Sequence, residues 1–132
     1  WSNSYEATNL EAKVDFVSYH FYNAIDDFET EYATLDKATK KPIVIQEFGV
    51  PSYRGIWNWT GKNADGQAEY HKKMQELFKK NNLAFMSWTL YDFPAVPNQV
   101  AGKWPWQKNR QKKFGFIDEK GKEKPAFLYI SN

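Results

Sequence analysis

Cysteine is missing altogether from the 132 residues, and histidine occurs only twice, at His20 and His71. The first absence excludes a disulfide framework and any thiolate metal site, and two imidazoles are too few for a zinc cluster. No metal and no other cofactor is expected. An excess of charge of one sign is lacking too: 18 Lys and Arg against 16 Asp and Glu leave a formal charge of +2. That is too little to mark a phosphate backbone as partner, so no nucleic acid is expected. No apolar run reaches the roughly 18 residues that a membrane span needs, and no basic, hydrophobic leader is expected before Trp1. A chain that starts without Met is expected to be a mature or excised piece.

What is present is apolar and aromatic surface, 42% hydrophobic and 18% aromatic residues. That is enough for one folded unit, or part of one, yet the chain is shorter than the roughly 250 residues of a complete eight-stranded α/β barrel. Three short apolar runs organise it: VDFVSY at 14–19, PIVIQEFG at 42–49 and LAFMSW at 83–88. Each has strand length and is rich in β-branched or aromatic residues. Between the first two, Phe28, Tyr32, Leu35 and Ala38 recur at helical spacing, with acids in the first turns and Lys at the end. Between the second and third, Asn63 is placed as an N-cap, with Ala64, Tyr70, Met74 and Leu77 along one face and Lys79 and Lys80 in the last turn. The order strand, helix, strand, helix, strand, with nearly continuous apolar strands, predicts an α/β fold with a parallel sheet covered on both faces. From Tyr91 to Lys113 a long loop is expected, then FGFI, a turn at Asp118 to Gly121 and a short closing helix entered at Pro125.

The run IVIQEFG ends on a carboxylate, Glu47. In parallel α/β sheets, ligands meet the C-terminal ends of strands, because side chains and loops converge there above a packed interior. His20 and Tyr22 follow the first strand and share a face, since side chains alternate with a period of two. Trp88 ends the third. Residues able to accept a proton, orient a carboxylate or stack on a ring thus occupy equivalent positions on three strands.

DFVSYHFYN, IVIQEFG and FMSWTLYDFP, followed by FGFIDEKGKEKPAF, resemble the sixth, seventh and eighth strands and the tail of clan A glycoside hydrolases, the retaining enzymes that include family 5-type cellulases, mannanases and β-galactosidases. The resemblance covers almost the whole chain. It implies that residues 1–132 form a single partial domain, the C-terminal portion (strands 6 to 8) of a (β/α)8 TIM barrel. It further implies that Glu47 is the catalytic nucleophile, that His20 and Tyr22 contact the sugar and hydrogen-bond the nucleophile, and that Trp88 floors the sugar site. The clan's acid/base Glu ends the fourth strand, which would lie upstream of Trp1. Retention needs two carboxyl groups roughly 5 to 5.5 Å apart, so Glu47 alone is expected to leave the isolated chain with little activity. A β-linked poly- or oligosaccharide substrate and a secreted or periplasmic location follow from the resemblance alone; gluco-, manno- and galacto-configured substrates are not separated.

Blander readings stand beside these. Glu47 also suits a structural ion pair at a strand end, His20 and Tyr22 a satisfied core, and Trp88 plain packing. His71, on a Lys-rich helix, is expected to be a solvated surface residue. Trp57, Trp59, Trp104 and Trp106 stand in loops and suit either sugar stacking or loop packing. Asp92 is a candidate contact to a sugar hydroxyl. An alternative function is a carbohydrate-binding or interaction fragment without catalysis, but such modules are usually antiparallel sandwiches, and two helical stripes argue against one. A flavodoxin-like nucleotide domain is remote, since no Gly-rich phosphate loop follows any strand. Three strands cut from a barrel would leave unpaired edges and an uncovered apolar interior, so a dimer, a complementing barrel half or aggregation is expected.

Overall fold

The computed structural model describes residues 13–55 and 58–130; Trp57, one of the expected sugar contacts, lies outside them. The chain divides into two compact units. One runs to Phe48 and resumes from Glu76 to Met86; the other takes Gly49–Gln75 and the chain from Ser87 onward.

The first unit holds β1 (Val17–Phe21), α1 (Phe28–Ala38), β2 (Ile43–Phe48), the last turn of α2 (Ala64–Lys80) and β3 (Ala84–Phe85). The strands form one parallel sheet in the order β1-β2-β3, as the strand–helix alternation predicts. Helix α1 begins with Glu29 and Glu31 and carries Lys37 in its last turn, charges that suit the helix dipole at both ends. It stops where Thr39 turns extended, shortly before Pro42. Phenylalanines then join every element of the unit. Phe21 meets Phe28 edge-on at 5.2 Å, Phe28 meets Phe78 at 5.2 Å, and Phe78 meets Phe48 at 4.8 Å and Phe85 at 5.1 Å. Among the described residues only one face of the sheet is covered in this way. Ser18, His20, Gln46, Ala84 and Met86 are exposed on the other, so the expectation of two covered faces holds for one. Strand β3 is also shorter than the run 83–88 predicts. It pairs through Val44 and Ile45 and stops where β2 departs from regular register.

In the second unit α2 supplies the core. Its N-cap is Asn63, whose Oδ1 accepts the Gly66 N–H at 2.8 Å. Its C-terminus closes with Asn82 in the left-handed region at φ 51°. There the Leu83 N–H donates to the Phe78 carbonyl and the Asn82 N–H to that of Lys79, the paired bonds of a Schellman cap. The buried face of the whole helix runs through Gln67, Tyr70, His71, Met74, Gln75 and Phe78, whereas Leu77 is half-buried. Two glutamines belong on that face because irregular backbone nearby needs partners. Gln67 Nε2 donates to the carbonyls of Val50 and Phe114, and Gln75 Nε2 to that of Tyr129.

His71 departs from expectation. It is 0% exposed, its ring 4.6 Å from Phe116. The helix advances about 100° per residue, which is enough to turn Lys72 and Lys73 into water while His71 stays inside. Burial pushes its pKa down from 6.5 to about 4. The expected loop 91–113 contains two helices, α3 (Asn98–Ala101) and α4 (Pro105–Lys112). The closing helix at Pro125 is present as a 3-10 helix, Pro125–Tyr129, and the turn before it places the Gly121 N–H on the Asp118 carbonyl.

Candidate functional site

Strict alternation along β2 would turn Glu47 the wrong way. Ile43 and Ile45 are buried toward the helices, so a period of two assigns residue 47 to the same covered face. A bulge prevents this. Tyr19 pairs with Ile45, but His20 pairs with Glu47, leaving Gln46 as the extra residue of β2. Two consecutive side chains, Gln46 and Glu47, therefore face the open side, and Phe48 returns to the aromatic core at 0% exposure. The irregularity in the ladder thus aims the carboxylate.

Around Glu47 the geometry is compact. The Tyr22 hydroxyl donates to Oε2 at 2.8 Å, and His20 Nδ1 lies 3.4 Å from the same oxygen. The other ring nitrogen, Nε2, lies 3.4 Å from Gln46 Oε1. His20 and Glu47 keep 48% and 31% of their side-chain surface exposed, so solutes reach both. The segment bearing His20 and Tyr22 is held from α1. Glu31 accepts hydrogen bonds from the Tyr19 hydroxyl and from Asn23 Nδ2, one on either side of the pair. Burial first, and then the Glu31 carboxylate, push the Tyr19 hydroxyl pKa above its usual range, so it remains a donor. His20, Tyr22 and Glu47 were each expected here from sequence. Gln46 is not among the residues the sequence singles out: alternation puts it on the open face, but only the pairing of β2 with β1 sets it against the histidine.

The remaining candidates belong to the second unit. Trp88 is 38% exposed, with its ring 5.9 Å from Phe93. Gly49, immediately after β2, approaches it: a Cβ there would lie 2.4 Å from the Trp88 carbonyl oxygen, so only glycine fits. Trp59 and Trp104 are 76% and 59% exposed, and Trp104 stacks on Trp106.

Asp92, expected as a hydroxyl contact, is a buried ion pair instead. Its side chain has no exposed surface. Oδ1 accepts the Gly115 N–H at 2.8 Å and Lys124 Nζ at 2.6 Å, and Lys113 Nζ stands 3.4 Å from Oδ2. Burial lowers the Lys124 pKa while the Asp92 carboxylate pulls it back up. A carboxylate so enclosed must be paired, and nothing in its sequence neighbourhood signals the two distant lysines. Among the described residues no group of three or more His, Asp or Glu is placed to hold a metal ion, and no helix is long and apolar enough to cross a membrane.

Residues 1–103 match the family model described as "Glycosyl hydrolase catalytic core". No curated protein matches the chain. Among solved structures, a β-glucuronidase from Ruminococcus gnavus in complex with D-glucuronic acid is similar at 17% identity and TM-score 0.70, covering 95% of this chain and 24% of its own. A glycoside hydrolase family 17 β-1,3-glucanosyltransferase from Rhizomucor miehei is similar at 19% identity and TM-score 0.68, covering 89% and 44%. An endo-laminarinase from Formosa is similar at 16% identity and TM-score 0.60, covering 84% and 37%. At these identities the likeness is one of fold, and the chain spans less than half the length of each of the three.

Proposed function

This chain belongs to the glycosyl hydrolase catalytic core family, and from that premise we propose that it supplies the nucleophile half of a retaining glycosidase site, with Glu47 as the attacking carboxylate. The observation that carries the reading is the bulge at Gln46, which turns Glu47 to the open face beside His20 and Tyr22. Tyr22 and His20 both address Oε2, which orients the carboxylate and leaves Oε1 to attack an anomeric carbon. Attack forms a glycosyl ester, and water then cleaves it. Protonation of the leaving oxygen, and later activation of that water, falls to a second carboxyl group about 5 to 5.5 Å away. In this reading that group is a Glu on a strand outside the 132 residues, which form one partial domain, strands six to eight of a (β/α)8 barrel.

The membership of clan A, and its family 5 type in particular, rests on the motifs around Glu47, His20, Tyr22 and Trp88. Trp88 is the proposed floor of the sugar site, and Trp57 and Trp104 are proposed outlying contacts. The substrate is a β-linked poly- or oligosaccharide. This is supported by solved relatives that carry laminaritriose and D-glucuronic acid. A secreted or periplasmic location fits such a substrate.

Trapping with a 2-deoxy-2-fluoro aryl β-glycoside, in a protein that contains the whole site, tests the assignment. The expected result is a glycosyl adduct on the peptide containing Glu47, seen by mass spectrometry, and a loss of at least about a thousandfold in turnover for Glu47→Gln. An adduct on another carboxylate, or an active Gln variant, refutes it.

A further inference from the structure

Helix α4 and the residue before it carry two tryptophans, Trp104 exposed and Trp106 half-buried. The rings of Trp104 and Trp106 lie 4.9 Å apart and within 14° of parallel. Trp104 is 59% exposed, and no residue of α4 is buried. Pro105 stands between the two rings at the first helical position, which restricts the backbone that spaces them. Core packing therefore does not account for Trp104, one of the largest apolar side chains, standing exposed against the half-buried Trp106 at the start of a short helix.

The charge around them is one-sided. From Phe93 to Ile117 there is no acidic residue, while Lys103, Lys108, Arg110, Lys112 and Lys113 are all basic. Lys113 is engaged by Asp92 and Glu119. Among the described residues the other four form no ion pair. Lys108 stands one helical turn after Trp104, its N–H directed at the Trp104 carbonyl at 3.3 Å, and Arg110 stands one turn after Trp106. Residues four apart within a helix share a face, so Arg110 stands on the Trp106 side, while Trp104 is the extended residue that leads into the helix and Lys108 follows it by one turn.

We propose that Trp104 and Trp106, with Lys108 and Arg110, form a platform for an acidic glycan, a chain bearing uronate carboxylates. The apolar C–H face of a pyranose ring stacks on the exposed indole of Trp104, and the ring's carboxylate meets the Lys108 ammonium or the Arg110 guanidinium. That the ligand is a saccharide rests on the glycosidase reading; that it is anionic rests on the uncompensated cations. A neutral glucan would leave those cations unused. A second copy of the chain docking here would bring the same cations face to face, which opposes self-association through α4.

Binding of three tetrasaccharides with one backbone tests the proposal: cellotetraose, the same tetramer with every C6 oxidised to carboxylate, and a sulfated cellotetraose. Titration of the full chain carrying Glu47→Gln, followed by tryptophan fluorescence and calorimetry, separates this outcome from the fate of the nucleophile assignment. The uronate should bind at least tenfold tighter than the neutral tetramer, and its affinity should fall as salt is raised. Trp104→Ala should weaken binding tenfold or more, and Lys108→Gln should weaken the uronate alone. Neither side chain is buried, so circular dichroism should show both variants folded. Equal binding of the neutral tetramer, preference for the sulfated one, indifference to Trp104→Ala, or a Trp104-dependent dimer in sedimentation would each overturn the proposal.

Discussion

His71 and Glu47 show how a residue's role depends on which way it faces. The buried His71 has a predictable acid cost. Its pKa falls from 6.5 to about 4 on folding, so above pH 6.5 both states are neutral and it adds no pH dependence. Below that, the unfolded chain takes the proton first, and stability falls until the pH passes about 4. At pH 4.5 the loss is about 2 to 3 kcal/mol, from ~1.4 kcal/mol per pKa unit. Urea melts of His71→Leu should therefore show a smaller drop in stability between pH 7 and pH 4.5 than the parent chain. An unchanged drop would mean that the imidazole reaches water. Glu47 shows the converse. Its position at a strand end is legible in IVIQEFG, but alternation from the buried Ile45 would point it toward the helices. The bulge depends on pairing with β1, a partner more than 20 residues away, which the pattern of β2 by itself does not encode.

Among the elements, those with a buried face were the legible ones. Helices α1 and α2 and strands β1 and β2 follow from apolar spacing, because each must bury one stripe or face. Helix α4 has no buried residue, so it leaves no periodic trace and its sequence reads as loop. The spacing likewise selects Leu77 where the structure buries Phe78, since either fits a helical stripe and only the location of the sheet decides between them. Phe78 touches Phe28, Phe48 and Phe85 at 0% exposure, and Phe78→Ala should cost about 3 to 5 kcal/mol. The Asn63 cap is worth less: Asn63→Ala removes the acceptor of one helix-end N–H and should cost about 1 kcal/mol. Chemical denaturation of the two variants gives the comparison, and a cap variant as damaged as the core variant would contradict this ranking.

For the whole molecule, the question is what completes it. The sheet ends at β1 on one side and β3 on the other among the described residues, and each edge presents unpaired backbone groups. Phe16 and Met86 are 52% and 54% exposed, the latter on the open face of the sheet. The 132 residues alone should therefore self-associate, and, on the partial-barrel proposal, co-expression with a segment supplying the remaining barrel strands should suppress this. Light scattering that reports a stable monomer at high concentration would count against the partial-barrel reading.

The sequence by itself determined the strand–helix order, the parallel class and the strand-end positions of His20, Tyr22 and Glu47, because apolar spacing is a local property that each element must satisfy to be buried. Tertiary structure alone decided that Gln46 bulges to turn Glu47 toward the histidine, that His71 is dry, and that Asp92 serves as an ion-pair anchor. Pairing register and burial depend on partners distant along the chain, and no short stretch of residues specifies them.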